Sequence, residues 1–205
     1  SASLRPAAEV SRRTQELNSA ELIADDLLET VRSKVETATD YIKCYDSGTD
    51  VTNKTGSSEG SAIEFGYETE QGYNAAELLT ADGCGPTKIV IADKDSGEQP
   101  RVEKGYLVER YYKDGYSQDA DGNPIARAMT KTYAEGFYMG LRAGLHFKID
   151  EAKHTVTATV TIYRDKDLTD KIYSDSLIID LRYDIPVKTE VTAKQKTTTD
   201  IETGG

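Results

Sequence analysis

The opening segment of the chain carries one long amphipathic helix pattern, which limits the possible folds more than any other feature. Apolar residues recur there at spacings of three, four and seven, which places them on one stripe of a helix. The predicted packing face consists of Leu17, Ala24, Leu28, Val31, Val35, Ala38 and Ile42. We predict a helix over about residues 8–44, which ends at the turn-forming residues Asp46-Ser47-Gly48.

The rest of the chain is rich in strand patterns, which are alternating or short apolar runs bounded by turn residues. These patterns occupy residues 62–67, 88–92, 105–112, 145–149, 156–162 and 172–183. Strands that follow one another directly in sequence favour antiparallel pairing. We therefore predict the α+β class, with the long N-terminal helix packed on a mostly antiparallel sheet of six or seven strands.

One domain accounts for most of the length. We assign residues 1–187 to a single globular domain with a real but thin core, since apolar residues make up 37% of the chain. Residues 188–205 are rich in Thr, Lys, Asp, Glu and Gly and have little to bury, so we expect a flexible polar tail.

The charge of the chain disfavours some partners. The formal net charge is −11, and an acidic surface repels the phosphate backbone of nucleic acids, so we expect no nucleic-acid partner. The aromatic residues comprise 13 Tyr, 3 Phe and no Trp. Because tyrosine can bury its ring while its hydroxyl stays in water, this balance suits half-buried strands and exposed interfaces.

The two cysteines, Cys44 and Cys84, allow two interpretations. The first is a pair of buried thiols. The second is a disulfide that closes a loop of about 40 residues and stabilises the fold by roughly 4 kcal/mol in the chain-entropy model. Both cysteines have polar, turn-like neighbours, so we favour the Cys44–Cys84 disulfide and an oxidising compartment.

No residue pattern indicates an enzyme or a cofactor. The chain has no nucleophile–base motif and no phosphate-binding loop, so we expect no catalytic residues, and a hydrolase is the weakest of the function classes considered. The histidines His146 and His154 are expected to be separate strand residues facing solvent. A weak calcium candidate is formed by the alternating oxygen ligands Asp119, Asp121 and Asn123, which β-turn chemistry explains equally well.

Several segments together resemble the plan of type IV pilin-like proteins, with minor pilins and J-type minor pseudopilins the most similar. The likeness lies in the helix pattern through Ala20-Glu21-Leu22-Ile23, in a strand like Ala62-Ile63-Glu64-Phe65, and in a later strand like Gly105-Tyr106-Leu107-Val108. Paired strands near the C-terminus, at residues 156–162 and 172–181, complete it. The resemblance covers about residues 15–183.

The resemblance implies a structural function outside the cell membrane. Members of the family are anchored by an apolar N-terminal segment and assemble into filaments by helix packing, so it implies pilin-like subunits as partners. It also implies membrane contact through an apolar segment before Ser1, which we expect upstream because the helix begins with few apolar residues. Tyr111, Tyr112 and Tyr116, in a predicted exposed loop, are our candidates for a partner surface.

A second hypothesis is a secreted or cell-surface β-rich binding module, such as an adhesin or a carbohydrate-binding protein. In that case exposed tyrosines would line a ligand groove. The residues immediately upstream distinguish the two hypotheses, because an apolar span after a short basic leader supports a pilin-like subunit.

Overall fold

A computed structural model of the chain describes residues 4–46, 56–66, 87–97, 100–118 and 124–187. It begins with helix α1 (Leu4–Val35), and a short 3₁₀ helix spans Glu135–Tyr138. The described strands are β1 (Thr39–Tyr45), β2 (Glu59–Gly60), β3 (Ala62–Gly66), β4 (Thr87–Ile91), β5 (Leu107–Gln118), β6 (Pro124–Thr132), β7 (Arg142–Asp150), β8 (Thr155–Tyr163) and β9 (Lys171–Asp180).

The strands form two antiparallel sheets, which we name sheet A and sheet B. Sheet A has five strands in the order β1-β3-β4-β5-β6, and sheet B has four strands in the order β2-β7-β8-β9. The α+β class is therefore confirmed, with one N-terminal helix against β-sheet. The prediction of a single sheet of six or seven strands was wrong, because the described residues contain nine strands in two sheets.

Helix α1 ends at Val35, so the predicted continuation of the helix to Cys44 was also wrong. The last turn contains Arg32 and Lys34, whose positive charges favour the C-terminal end of the helix dipole. A turn follows, in which the Ala38 amide donates to the Val35 carbonyl at 3.0 Å. Residues Thr39–Tyr45 then form β1.

The error at the helix end has a simple geometric cause. Residues four apart share a face in a helix and also in a strand, so the spacing from Ala38 to Ile42 fits both. The residues after Ala38 are β-branched and aromatic at Thr39, Tyr41, Ile42 and Tyr45, and such side chains favour a strand. Ala38 lies in the turn and Ile42 lies in β1, and both are buried.

Sheet B shows the alternation that the sequence predicts. In β8, Val156, Ala158, Val160 and Ile162 are buried, and the threonines between them lie on the other face. Strand β7 pairs Leu145 with Val160 and Ile149 with Val156, which confirms the predicted hairpin. The predicted strand position of His154 was wrong, since Asp150 pairs with Thr155 and His154 lies in the turn between them with a φ of 54°. Helix α1 packs on β8 and β9.

Backbone hydrogen bonds beside strand β7 join the two sheets. The Ile149 amide donates to the Ser58 carbonyl at 2.7 Å, and the Ala143 amide donates to the Gly105 carbonyl at 2.8 Å. Gly60 allows β2 to approach β1, because a Cβ atom there would lie 2.5 Å from the Tyr45 carbonyl oxygen. The buried residues of the helix and of both sheets consequently form one hydrophobic cluster.

An aromatic cluster fills the junction between the sheets. Tyr106 and Tyr138 stack with ring centroids 4.0 Å apart, and Tyr133 stacks on Phe137 at the same distance. The Tyr138 hydroxyl is buried and accepts a hydrogen bond of 2.7 Å from the Leu107 amide. The Arg142 guanidinium lies 4.9 Å from the centre of the Tyr106 ring and covers the cluster.

Candidate assembly surface

The two halves of helix α1 differ in burial, and we name residues 4–19 the upper half and residues 20–35 the lower half. In the upper half, every side chain from residue 5 onward is exposed except those of Glu16 and Ser19, which are half-buried. Val10 is 64% exposed and Leu17 is 46% exposed. The buried side chains of the lower half are Ala20, Ile23, Ala24, Leu27, Leu28, Val31 and Val35.

The predicted packing face therefore divides into three parts. Ala24, Leu28, Val31 and Val35 lie in the buried stripe of the lower half. Leu17 belongs to the same helix but is largely exposed, and Ala38 and Ile42 lie beyond its end, as described above. The pattern also missed Ala20, Ile23 and Leu27, although their spacing from Ala24 and Val31 is that of one helix face.

Two contacts fix the lower half against sheet A and its flanking loop. The Lys34 Nζ atom lies 3.2 Å from the Glu109 Oε1 atom, and the Glu109 side chain is only 5% exposed. The second Glu109 carboxylate oxygen, Oε2, is buried and has no hydrogen-bond partner. Thr30 forms a short hydrogen bond with the Tyr133 hydroxyl. These contacts orient the helix so that the upper half continues past the end of the buried stripe.

An open cleft of about 520 Å³ lies between the upper half and the turn that joins β8 to β9. Glu16 Oε1 accepts a hydrogen bond of 2.6 Å from Arg164 Nε, and Arg164 also pairs with Asp170. The residues that line the cleft are Arg12, Arg13, Glu16, Leu17, Arg164 and Ile172. Two of the three guanidinium groups at the cleft are neutralised by carboxylates, Arg13 by Glu9 and Arg164 by Glu16 and Asp170. Arg12 has no ion-pair partner among the described residues.

The β8–β9 turn holds Arg164 in position. The Asp165 carboxylate accepts hydrogen bonds from the Asp170 amide at 2.6 Å and from the Thr169 hydroxyl at 2.7 Å. These hydrogen bonds lower the pKa of Asp165. On the far side of the turn, Lys166 Nζ lies 2.7 Å from Asp95 Oδ2, which ties the turn to sheet A.

Helix α1 carries opposite charges on two opposite flanks. Arg5 and Arg12 are seven residues apart and share one flank, which we name the basic flank. Glu21 and Asp25 are four residues apart and define the acidic flank. At about 100° per residue, the nine residues from Arg12 to Glu21 turn the helix by about 180° beyond whole turns. Among the residues that the structure describes, none of these four side chains takes part in an ion pair.

The acidic flank extends from the helix onto the neighbouring edge strand. Desolvation raises the pKa of Tyr173 on β9, and the carboxylates of Asp175, Glu21 and Asp25 raise it further. Glu21 and Asp25 lie on helix α1 and Asp175 lies on β9, on which the helix packs, and all three side chains are exposed.

A buried group of charges in sheet A was missed by the sequence analysis. Lys43, Glu64 and Lys88 lie directly opposite one another on β1, β3 and β4. Both lysine Nζ atoms lie 3.2 Å from a Glu64 carboxylate oxygen, and the Tyr41 hydroxyl donates to the same carboxylate at 3.0 Å. The available signal was a charged residue next to apolar residues in each of the three strands, but strand order was needed to bring these residues together.

The partners of Glu64 favour the ionised form of its carboxyl group. Burial by itself raises the pKa of Glu64, but the ammonium groups of Lys88 and Lys43 and the Tyr41 hydroxyl outweigh it and lower the pKa below the usual value. The side chains of Lys43 and Glu64 are only 4% and 6% exposed. A largely buried carboxylate between two ammonium groups links three strands of the sheet, and removal of one partner would leave an uncompensated buried charge.

Cys44 lies in β1 and its side chain is buried. In the reduced state, burial raises the pKa of its thiol to about 12, and the Glu59 carboxylate adds to the shift, so a reduced Cys44 is protonated at neutral pH. Cys84 lies outside the described residues, so the Cys44–Cys84 disulfide stays a prediction. Thiol titration in denaturant tests it, because the disulfide leaves neither cysteine titratable until a reductant is added.

The candidate partner tyrosines lie on a strand. Tyr111, Tyr112 and Tyr116 are within β5, which continues to Gln118, so the prediction of a loop there was wrong. The register of β5 against β6 shifts between Lys113 and Ser117, where the sequence pattern indicated a turn. The calcium candidates Asp119, Asp121 and Asn123 lie outside the described residues, as does the predicted tail of residues 188–205.

The two histidines lie in different surroundings. His146 Nε2 lies 3.3 Å from a Glu59 carboxylate oxygen on the outer face of sheet B, and His154 Nδ1 lies 3.3 Å from an Asp184 carboxylate oxygen. Both side chains are exposed. Within the described ranges, no group of three or more His, Cys, Asp or Glu side chains is arranged to hold a metal ion.

Comparison with known proteins identifies no family for this chain. No family model matches it, no curated protein matches it, and no solved structure matches it. In the part of the chain that the structure describes, no helix combines the length and the apolar character that crossing a membrane requires.

Proposed function

We propose that this protein is a structural subunit of a type IV pilus-like filament or a secretion pseudopilus, and that it assembles through helix α1. The single observation that supports the proposal most strongly is the difference between the length of the helix and the length that its own domain covers. The helix has 32 residues, but its buried side chains begin at Ala20.

The exposed upper half should be only marginally stable as a helix if the chain has no partner. Ordering the backbone costs roughly 1–2 kcal/mol per residue, and isolated helices shorter than about 12–15 residues are marginal in water. Residues 4–19 receive little packing from the body, and the apolar side chains of Val10 and Leu17 are left exposed to solvent. Packing against other subunits would cover these side chains and would stabilise the helical conformation.

The other parts of the proposal follow from the resemblance to pilin-like proteins. The partners are other pilin-like subunits, the globular part lies at the cell surface, and an apolar segment before helix α1 provides the membrane contact. The function is structural rather than enzymatic. The cleft and the two charged flanks lie on the helix and beside it, which is where helix-mediated assembly requires recognition.

The proposal is tested in cells that express the complete gene. Surface filaments are sheared off, and the sheared fraction is probed for this protein. We expect the protein in that fraction, and we expect a Val10→Asp/Leu17→Asp double variant to be absent from it while its purified domain keeps the circular dichroism spectrum and melting temperature of the parent.

Met139→Asp is the matched control, because Met139 is 58% exposed and lies on the body rather than on the helix. This control should assemble like the parent. The proposal is contradicted if the parent protein is found only as a monomer, as a secreted binding module would be, or if the double variant assembles normally.

A further inference from the structure

We infer that neighbouring copies of this chain pack side by side through opposite flanks of helix α1, with Arg12 of one copy against Glu21 and Asp25 of the next. The inference rests on the proposed function, since it specifies how the subunits recognise one another. Its occupant is a second copy of the same chain, because the two complementary surfaces are both present on each molecule.

The unpaired charges provide the first step of the argument. The helix satisfies several of its charges internally, as in the pairs Glu9–Arg13 and Glu29–Arg32. Arg12, Glu21 and Asp25 are exposed and have no ion-pair partner among the described residues. A contact that brings the basic flank to an acidic flank would pair these groups, and like charges would oppose any other register.

The placement of the flanks determines the kind of assembly. Since Arg12 and Glu21 point in opposite directions from the helix axis, one molecule cannot form both halves of the contact with a single partner related by a two-fold axis. Each copy instead offers its basic flank to one neighbour and its acidic flank to another. Such a head-to-tail contact leaves a free flank at each end and grows into an open helical array.

The sequence separation determines the axial shift between neighbours. Nine residues separate Arg12 from Glu21 and thirteen separate it from Asp25. At 1.5 Å of rise per residue these separations are about 14 Å and about 20 Å. Bringing Arg12 of one copy level with this pair shifts neighbouring subunits by roughly 14–20 Å along the helix axis.

Charge reversal in the shearing assay tests the inference. Arg12→Glu places a carboxylate where the basic flank would meet the acidic flank of the next copy, and Glu21→Arg/Asp25→Arg places two guanidinium groups on the acidic flank. We expect each variant alone to lower the amount of protein in the sheared filament fraction about tenfold. Cells that express both variants together should recover most of the assembly, because the two kinds of subunit can alternate. Recovery also shows that both variants fold.

Lys94→Glu is the control, since Lys94 is exposed on the body and the substitution makes the same change in charge. It should assemble like the parent. If the parent assembles and the reversed variants assemble equally well, or fail without mutual rescue, the flank contact is wrong while the filament proposal stands. If the parent itself does not assemble, the proposed function fails.

Discussion

The upper and lower halves of helix α1 have the same backbone conformation and opposite surroundings. The lower half buries seven side chains against the two sheets, whereas the upper half leaves Val10 and Leu17 largely in solvent. Neither half has a glycine, and Pro6 in the first turn is compatible with a helix. The difference shows that packing, rather than local preference, distinguishes the buried half of the helix from the exposed half.

The largest expected effect compares two leucines of the same helix. Leu27 is fully buried and Leu22 is 62% exposed. Leu27→Ala removes buried surface and leaves a cavity, so we expect it to lower the free energy of unfolding by about 3–4 kcal/mol. Leu22→Ala should change it by less than about 0.5 kcal/mol. Denaturant unfolding measures both, and equal effects would contradict the burial difference.

The next effect concerns sheet A, which the lower half contacts through Lys34 and Glu109. Glu64→Gln leaves Lys43 and Lys88 buried without a counter-charge, so we expect a loss of about 3 kcal/mol in the free energy of unfolding. Glu59→Gln is the control, because Glu59 is exposed and its ion-pair partner among the described residues is the exposed His146. A stable Glu64→Gln variant would mean that the two ammonium groups are not effectively buried.

The same carboxylate predicts a dependence on pH. The folded pKa of Glu64 lies below its usual value of 4.5, so the unfolded state binds its proton first as the pH falls. The stabilisation by Glu64 is complete well above pH 4.5 and is lost as the pH falls through the lowered folded pKa. Glu64→Gln should lack this component of acid sensitivity, which urea unfolding at a series of pH values measures.

The ion pairs of the two helix halves should differ in how much they contribute to the free energy of unfolding. Lys34→Met leaves Glu109 buried without its cation, and we expect a loss of about 2 kcal/mol, since Lys34 itself is partly screened by solvent. Glu16→Gln breaks the pair with Arg164 in the upper half, where both charges are better hydrated. It should leave the unfolding midpoint unchanged, and a large shift would mean that the upper half is part of the folding unit.

Several elements could be predicted because one face of each is buried. In the hairpin of β7 and β8, Leu145 and Phe147 alternate with polar residues as Val156 and Ala158 do, so the pattern identifies both strands and their pairing. The lower half of the helix was predictable for the same reason. Ala24, Leu28 and Val31 recur at the spacing of one helix face.

The remaining features depend on contacts that the sequence does not contain. Leu17 continues the apolar spacing but lies at an open cleft and is 46% exposed, and periodicity alone does not show which positions of a helix are buried. The buried group around Glu64 requires the order β1-β3-β4, which brings together residues far apart in the chain. The sequence contains the charged residues of both flanks, but only the folded structure shows that they have no ion-pair partners among the described residues.

Hydrogen exchange measured on the free chain and on assembled filaments tests the assembly surface most directly. In the free chain, the amides of residues 5–18 should exchange rapidly while those of the lower half are protected. In the filament, the upper half should become protected as well. Equal protection of the upper half in both states would contradict its assignment as the surface through which the subunits assemble.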